Sequence, residues 1–305
     1  MKPRSSHFKT LNYCLLIMVL LLTSSISIYP SRANASPTPY NVSQGKTVTG
    51  CSSSYDTSAF KCANINNGVI NSSTDRGWAS VGGASTNRNE WVKIDLGHTY
   101  RLSSMEIENE IFVGGQTSGR NIKDYVLYGS QTGAFAGEEI ILSQGTVPQL
   151  GNNQKWTATN FTPGDARYIM IKGTSSYSGF FIIGELRVFG ISKDANLSAL
   201  LPNAGTLSPS FASGTTNYSV IVPYSTASIR LTPTVADSTA SVSVNGTTTT
   251  SGTGSNPIAL NVGLNSIPVV VTAEDDTVTK TYTVNVTRQD ASTNANLFSL
   301  VPSTG

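Results

Sequence analysis

Strict alternation of apolar and polar residues, strand after strand and with no sustained helical period, is the feature that most limits what this chain can become. In Trp91-Val92-Lys93-Ile94-Asp95-Leu96, the residues Val92, Ile94 and Leu96 share one face while Lys93 and Asp95 take the other. Residues 100–109, 122–128 and 166–172 read the same way, with Gly, Asn and Ser between the runs. Successive strand side chains point to opposite faces, so such runs predict half-buried antiparallel strands. Beyond residues 191–195, which read as a linker, Thr, Ser and Val dominate and Trp disappears. There Ile229, Leu231, Pro233 and Val235 alternate along one predicted strand. Ile267, Val269 and Val271 then lead through Glu274-Asp275-Asp276-Thr277 into Tyr282, Val284 and Val286, a predicted hairpin. The expected class is all-β, in two sandwiches.

The N-terminus sets the expected compartment. Lys2, Arg4 and Lys9 precede an apolar run at 13–22, and Ala33-Asn34-Ala35 follows as a small-residue cleavage site. That order predicts a secretory signal over 1–35, with no membrane span in the mature chain. The leader carries four of twenty basic residues and none of eighteen acidic ones, so about 270 mature residues hold sixteen against eighteen. No polybasic stripe remains to neutralise phosphates, which argues against a nucleic-acid partner. Cys14 leaves with the leader, and the remaining pair, Cys51 and Cys62, predicts a disulfide in a secreted chain. Closing so short a loop restricts the unfolded chain by roughly 2–3 kcal/mol.

The last residues repeat an earlier motif. Ala295, Asn296, Leu297, Leu300, Pro302 and Gly305 match Ala195, Asn196, Leu197, Leu200, Pro202 and Gly205 at a constant offset. Residues 291–305 are therefore expected to begin a further repeat, cut short or continued in a longer product.

Catalytic machinery is sparse. With His7 in the leader, His98 is the one mature histidine, in the Leu96-Gly97-His98-Thr99 turn, where it reads as solvated. No Gly-x-Ser-x-Gly elbow accompanies it, and the adjacent pairs Glu138-Glu139 and Asp275-Asp276 lie in turn-like sequence. No enzymatic activity is expected.

Two resemblances sharpen this outline. Ala63-Asn64-Ile65-Asn66-Asn67-Gly68, Trp78, Glu90-Trp91-Val92-Lys93-Ile94-Asp95-Leu96-Gly97 and Gly184-Glu185-Leu186-Arg187-Val188-Phe189-Gly190 occur in one order over residues 36–190. Together with residues 122–128 and 166–171, they make this module resemble the discoidin, or coagulation-factor type C, family, which includes bacterial family 32 carbohydrate-binding modules. Asn196-Leu197-Ser198-Ala199-Leu200, Gly205-Thr206-Leu207-Ser208-Pro209 and the closing hairpin make residues 196–290 similar to bacterial cadherin-like repeats. The implied fold is a jelly-roll-like discoidin sandwich followed by a smaller immunoglobulin- or cadherin-like one, the second serving as spacer.

The discoidin resemblance implies where a site would be. A structural calcium would take oxygens from Asn67, Thr74, Asp75 and Glu185, with Asn67 standing where the family has Asp. A polysaccharide or cell-surface glycan would meet Tyr177 and Phe180 as stacking rings, with Asn87, Arg88, Arg120 and Asn121 reading hydroxyls. Ala79 follows Trp78 where galactose-binding members carry His, so galactose specificity does not carry over. The three tryptophans are expected to be structural. Alternatives are a surface adhesin binding another protein, or the targeting part of a longer cell-wall- or polysaccharide-acting protein.

Overall fold

The computed structural model describes residues 36–55, 59–69, 75–82, 87–110 and 120–291. The expected leader, Thr74 and residues 292–305 of the expected further repeat lie outside the described residues. Among those described, the first sandwich has ten strands: β1 (Tyr40–Asn41), β2 (Thr47–Cys51), β3 (Trp78–Ala79), β4 (Asn87–Glu108), β5 (Asp124–Ser130), β6 (Ile140–Thr146), β7 (Lys155–Thr157), β8 (Gly164–Ser175), β9 (Ile182–Ile183) and β10 (Glu185–Ser192). The main sheet runs β1-β10-β4-β8-β5-β6, with β2 and β7 also paired to β4, while β3 and β9 form a separate ribbon. All these pairs are antiparallel.

Alternation produces the core. Val92, Ile94 and Leu96 on β4, Leu127 on β5, Ile169 and Ile171 on β8, and Val188 on β10 are fully buried in one cluster. Each such side chain contributes roughly 1.5–3 kcal/mol on leaving water. The two runs expected at 91–96 and 100–109 are one strand, β4. Gly97 adopts φ +94°, a left-handed conformation that a residue with a Cβ enters at a cost, and the pairing with β8 shifts register between Asp95 and Tyr100. The chain turns its corner without leaving the sheet. Its early half pairs with β2 and its late half with β10 and β7.

The second sandwich follows as β11 (Leu197–Pro202), β12 (Asn217–Val222), β13 (Ser228–Ile229), β14 (Leu231–Val235), β15 (Ser241–Val244), β16 (Thr247–Thr249), β17 (Ile258–Ala259), β18 (Gly263–Thr272) and β19 (Thr279–Arg288). Its larger sheet runs β12-β19-β18-β15-β16, with β12 and β19 parallel, and β11 pairs with β14. The expected hairpin is β18–β19, in register from Gly263 and Arg288 to Thr272 and Thr279. Its turn is held by Asp275, which accepts from the Thr277 amide at 3.0 Å. The strand expected at 228–235 breaks at Arg230, because β13 pairs with β17 while β14 pairs with β11. Tyr282, Val284 and Val286 anchor this core.

Residues 193–196 join the sandwiches, and the joint is polar. His98 Nε2 lies 3.0 Å from Asp237 Oδ2 and 3.0 Å from Ser192 Oγ, and its ring stacks on Tyr100 at 4.2 Å. Ser192 donates its amide to Glu274 Oε2 at 3.1 Å, and Lys193 bonds Asp165 at 2.6 Å. Burial opposes ionisation of Asp237, but bonds from His98, Ser192 and Thr239 outweigh it and hold the carboxyl well below its usual range. The reading of His98 as a solvated turn residue is therefore corrected: the β4 corner carries it to the joint. Ser192 and Asp237 share one ring nitrogen, whereas a catalytic triad engages opposite nitrogens.

Candidate functional site

The β3–β9 ribbon organises one end of the first sandwich. Trp78 pairs with Ile183 and Ala79 with Ile182, and Gly77 enters the ribbon at φ +89°. A Cβ on Gly77 would lie 2.3 Å from the Ile183 carbonyl oxygen, so the close approach requires glycine. Ala79 and Ile182 of the ribbon join Ala59 and Phe60 in a small buried cluster separate from the main core, with Phe180 packed against it.

A cleft of about 150 Å³ opens over this cluster, lined by Tyr55, Phe60 and Phe180, with Arg76 and Arg120 at its walls. Tyr55 meets Phe180 edge-to-face at 5.4 Å and Phe60 at 6.0 Å. Tyr55 is about half exposed (53 %) and Phe60 is buried (7 %), so one ring is rim and the other floor. The Arg76 guanidinium lies 4.7 Å from the Phe60 ring centre, and that of Arg120 lies 5.9 Å from Phe180. Both are at cation–π distance. Arg76 Nη2 is bonded at 2.7 Å to Glu110, which is fully buried. Burial pushes the Glu110 carboxyl up from its ordinary value, against the pull of Arg76 and Arg120.

Of the residues expected to bind ligand, Arg120 and Phe180 meet in this cleft. Arg88 spends its guanidinium internally, donating to Ser80 Oγ and to the carbonyls of Val81 and Gly179 at 2.6–3.2 Å. Asn121 is buried, donating to Ile122 and Pro148 carbonyls and accepting from the Leu150 amide. Tyr177 donates its hydroxyl to Val147 at 3.0 Å, beneath the Lys123 ammonium. Asn87 opens β4 opposite Ser175. Sequence reasoning missed Tyr55, Phe60, Arg76 and Ile182. One signal was available: Tyr55 and Phe60 lie inside the loop that the Cys51–Cys62 disulfide closes. Among the tryptophans, Trp78 is buried and donates to the Ser53 carbonyl at 2.8 Å, while Trp156 packs edge-on against Tyr125.

The residues expected to hold calcium also converge, Thr74 aside. Asn67 Nδ2 donates to Asp75 Oδ2 at 2.5 Å, and the Gly68 amide donates to Glu185 Oε1 at 3.0 Å. Glu185 is fully buried, and burial pushes its carboxyl up to about 8, with Glu108 and Asp75 adding to the rise. Glu185 Oε2 and Asp75 Oδ1 are buried with no hydrogen-bond partner among the described residues. Two orphaned carboxylate oxygens beside an Asn side chain fit a hard, oxygen-seeking cation. The described residues contain no group of three or more His, Cys, Asp or Glu placed to hold a metal, so backbone or other oxygens would complete the shell.

With two all-β modules and their sites in view, comparison with known proteins gives the class. Residues 48–186 match the F5/8 type C domain, and residues 193–289 match the cadherin-like beta sandwich domain. The chain thus carries a discoidin-type domain followed by a cadherin-like domain. A protein described as a putative membrane protein, from Evansella cellulosilytica, is 41% identical over 98 residues, covering 32% of this chain and 15% of the relative. Chitosan-binding module 1 of a Paenibacillus chitosanase/glucanase is 20% identical over 50% of this chain and 99% of its own, with a TM-score of 0.37. A family 32 module from Clostridium perfringens, solved with GalNAc-β-1,3-galactose, is 19% identical over 50% and 100%, with a TM-score of 0.40. Among the described residues no helix is long and apolar enough to cross a membrane.

Proposed function

We propose that this is an extracellular carbohydrate-binding protein without catalysis of its own, in which the F5/8 type C domain takes a glycan in the aromatic cleft. The observation that carries this reading is the cleft itself, three rings against an apolar cluster with two guanidinium groups at the walls. Sugars present an apolar C–H face that stacks on rings, and hydroxyls that accept from planar donors. The rings brace one another edge-to-face, so little side-chain freedom remains to be lost on binding. The cadherin-like domain is the spacer. The basic-then-apolar N-terminus supports secretion, and the length of the curated relative supports a place within a longer protein.

A structural calcium at Asn67, Asp75 and Glu185 belongs to the same proposal. When bound it supplies positive charge to buried carboxylate oxygens, while Gly68 orients Glu185 by donating to the other oxygen.

A glycan-array screen of the mature chain tests the sugar reading. Tyr55→Ala and Phe180→Ala are each expected to weaken binding at least about tenfold, roughly 1.4 kcal/mol. Both should leave the unfolding of the main core in place, because neither residue is part of it. A folded protein that captures no glycan, or binding indifferent to both substitutions, would refute the assignment.

A further inference from the structure

The disulfide stands at a boundary between two parts of the first sandwich. Cys51 ends β2 and Cys62 begins a short 3₁₀ turn, and both sulfurs pack against the main core. The loop between them starts on the main sheet, where Ser52 pairs with Trp91 and Ser53 with Glu90, and then leaves it: Tyr55 stands at the cleft rim, and Ala59 and Phe60 sit in the separate small cluster. Among the described residues, the Trp78 indole of the ribbon donates to the Ser53 carbonyl at 2.8 Å at the start of the loop. The Tyr55 amide donates to Ala79 at 2.8 Å, and the Arg76 amide donates to Ala59 at 2.9 Å.

We propose that the Cys51–Cys62 disulfide is a positioning element for the cleft and not a staple for the sandwich. It holds both feet of the loop on the main core, so that Tyr55 and Phe60 stay registered against Phe180 and Arg76. The main core closes through β4, β8, β5 and β10 without the loop. Opening the bond therefore frees Phe60 from a cluster of four buried residues and Tyr55 from the cleft rim, and leaves the sheet paired. A dithiol such as dithiothreitol supplies the two electrons and two protons: Cys51 and Cys62 become thiols, and the reagent leaves as its cyclic disulfide. The ligand consequence rests on the cleft being the sugar site; the effect on loop order does not.

Hydrogen exchange on the mature chain, oxidised and reduced, tests this, with a Cys51→Ser, Cys62→Ser double variant as the second form. Amides of Tyr55 and Arg76 are expected to exchange at least tenfold faster once the bond is open. Those around Ile94 and Ile169, in paired strands of the main sheet, should be accelerated by a clearly smaller factor, set by the loss of chain restriction alone. Unchanged exchange at Tyr55 and Arg76 would overturn the proposal, as would equal acceleration throughout the sheet, the mark of a global staple. In parallel, affinity electrophoresis through soluble galactomannan, xyloglucan and polygalacturonate should show retardation of the oxidised protein and its loss, tenfold or more, on reduction. Retardation that survives reduction would also overturn it. If the oxidised protein is retarded by none of the three, the sugar reading fails for these polymers, and exchange alone decides the disulfide's role.

Discussion

Trp78→Ala is expected to lower the stability of the first sandwich by about 3–5 kcal/mol, the largest loss from any single truncation of the site region. The indole is buried to 1 % exposure in the main core, and its Nε1 satisfies the Ser53 carbonyl at 2.8 Å. Truncation leaves a cavity that surrounding strands cannot collapse into, and it orphans that carbonyl. Trp78→Phe separates the effects, because it keeps most of the volume and removes only the donor. Urea unfolding read by fluorescence is the measurement, since all three tryptophans lie in the first sandwich and Trp91 and Trp156 remain as reporters. A loss below about 1 kcal/mol for Trp78→Ala would mean that the ribbon is not anchored through this ring.

The second large effect concerns Glu185. Its carboxyl is raised from 4.5 to about 8, mainly by burial. Below the lower value both folded and unfolded chains hold the proton, and the full stability is present. As pH rises through this window the unfolded chain releases the proton while the folded one keeps it, so stability falls until the folded pKa is passed. The loss is on the order of 3–5 kcal/mol between pH 4.5 and 8 in chelator. Glu185→Gln is expected to flatten the profile, because the amide still accepts from Gly68 and never ionises. Millimolar calcium should restore the wild type at pH 8 and leave the Gln variant nearly unmoved. Parallel pH profiles for the two proteins would refute the account of Glu185, and a wild type indifferent to calcium would remove the metal from it.

The sheets were legible in the sequence because half-buried strands write their burial as alternation. Val92, Ile94 and Leu96, or Tyr282, Val284 and Val286, need no more than period two to be placed. The β3–β9 ribbon was not legible, since Trp78-Ala79 and Ile182-Ile183 are buried on both faces and too short to alternate. The cleft suffered most from this. Phe180 and Arg120 could be named from their loops, but Tyr55, Phe60 and Arg76 come to them through contacts distant in sequence. The same limit applies to Arg88 and Asn121, whose polar ends turn inward to carbonyls no local pattern announces. His98 shows it at the joint, where its partners lie 94 residues away at Ser192 and further still at Asp237.

That joint has a mechanical consequence. The sandwich cores are held by apolar burial, whereas much of the seam is made of hydrogen bonds and ion pairs among side chains largely shielded from solvent. Pairs shielded in this way are screened far less by dissolved ions than pairs on an open surface. The joint should therefore keep its grip at ionic strengths that would dissolve a surface ion pair.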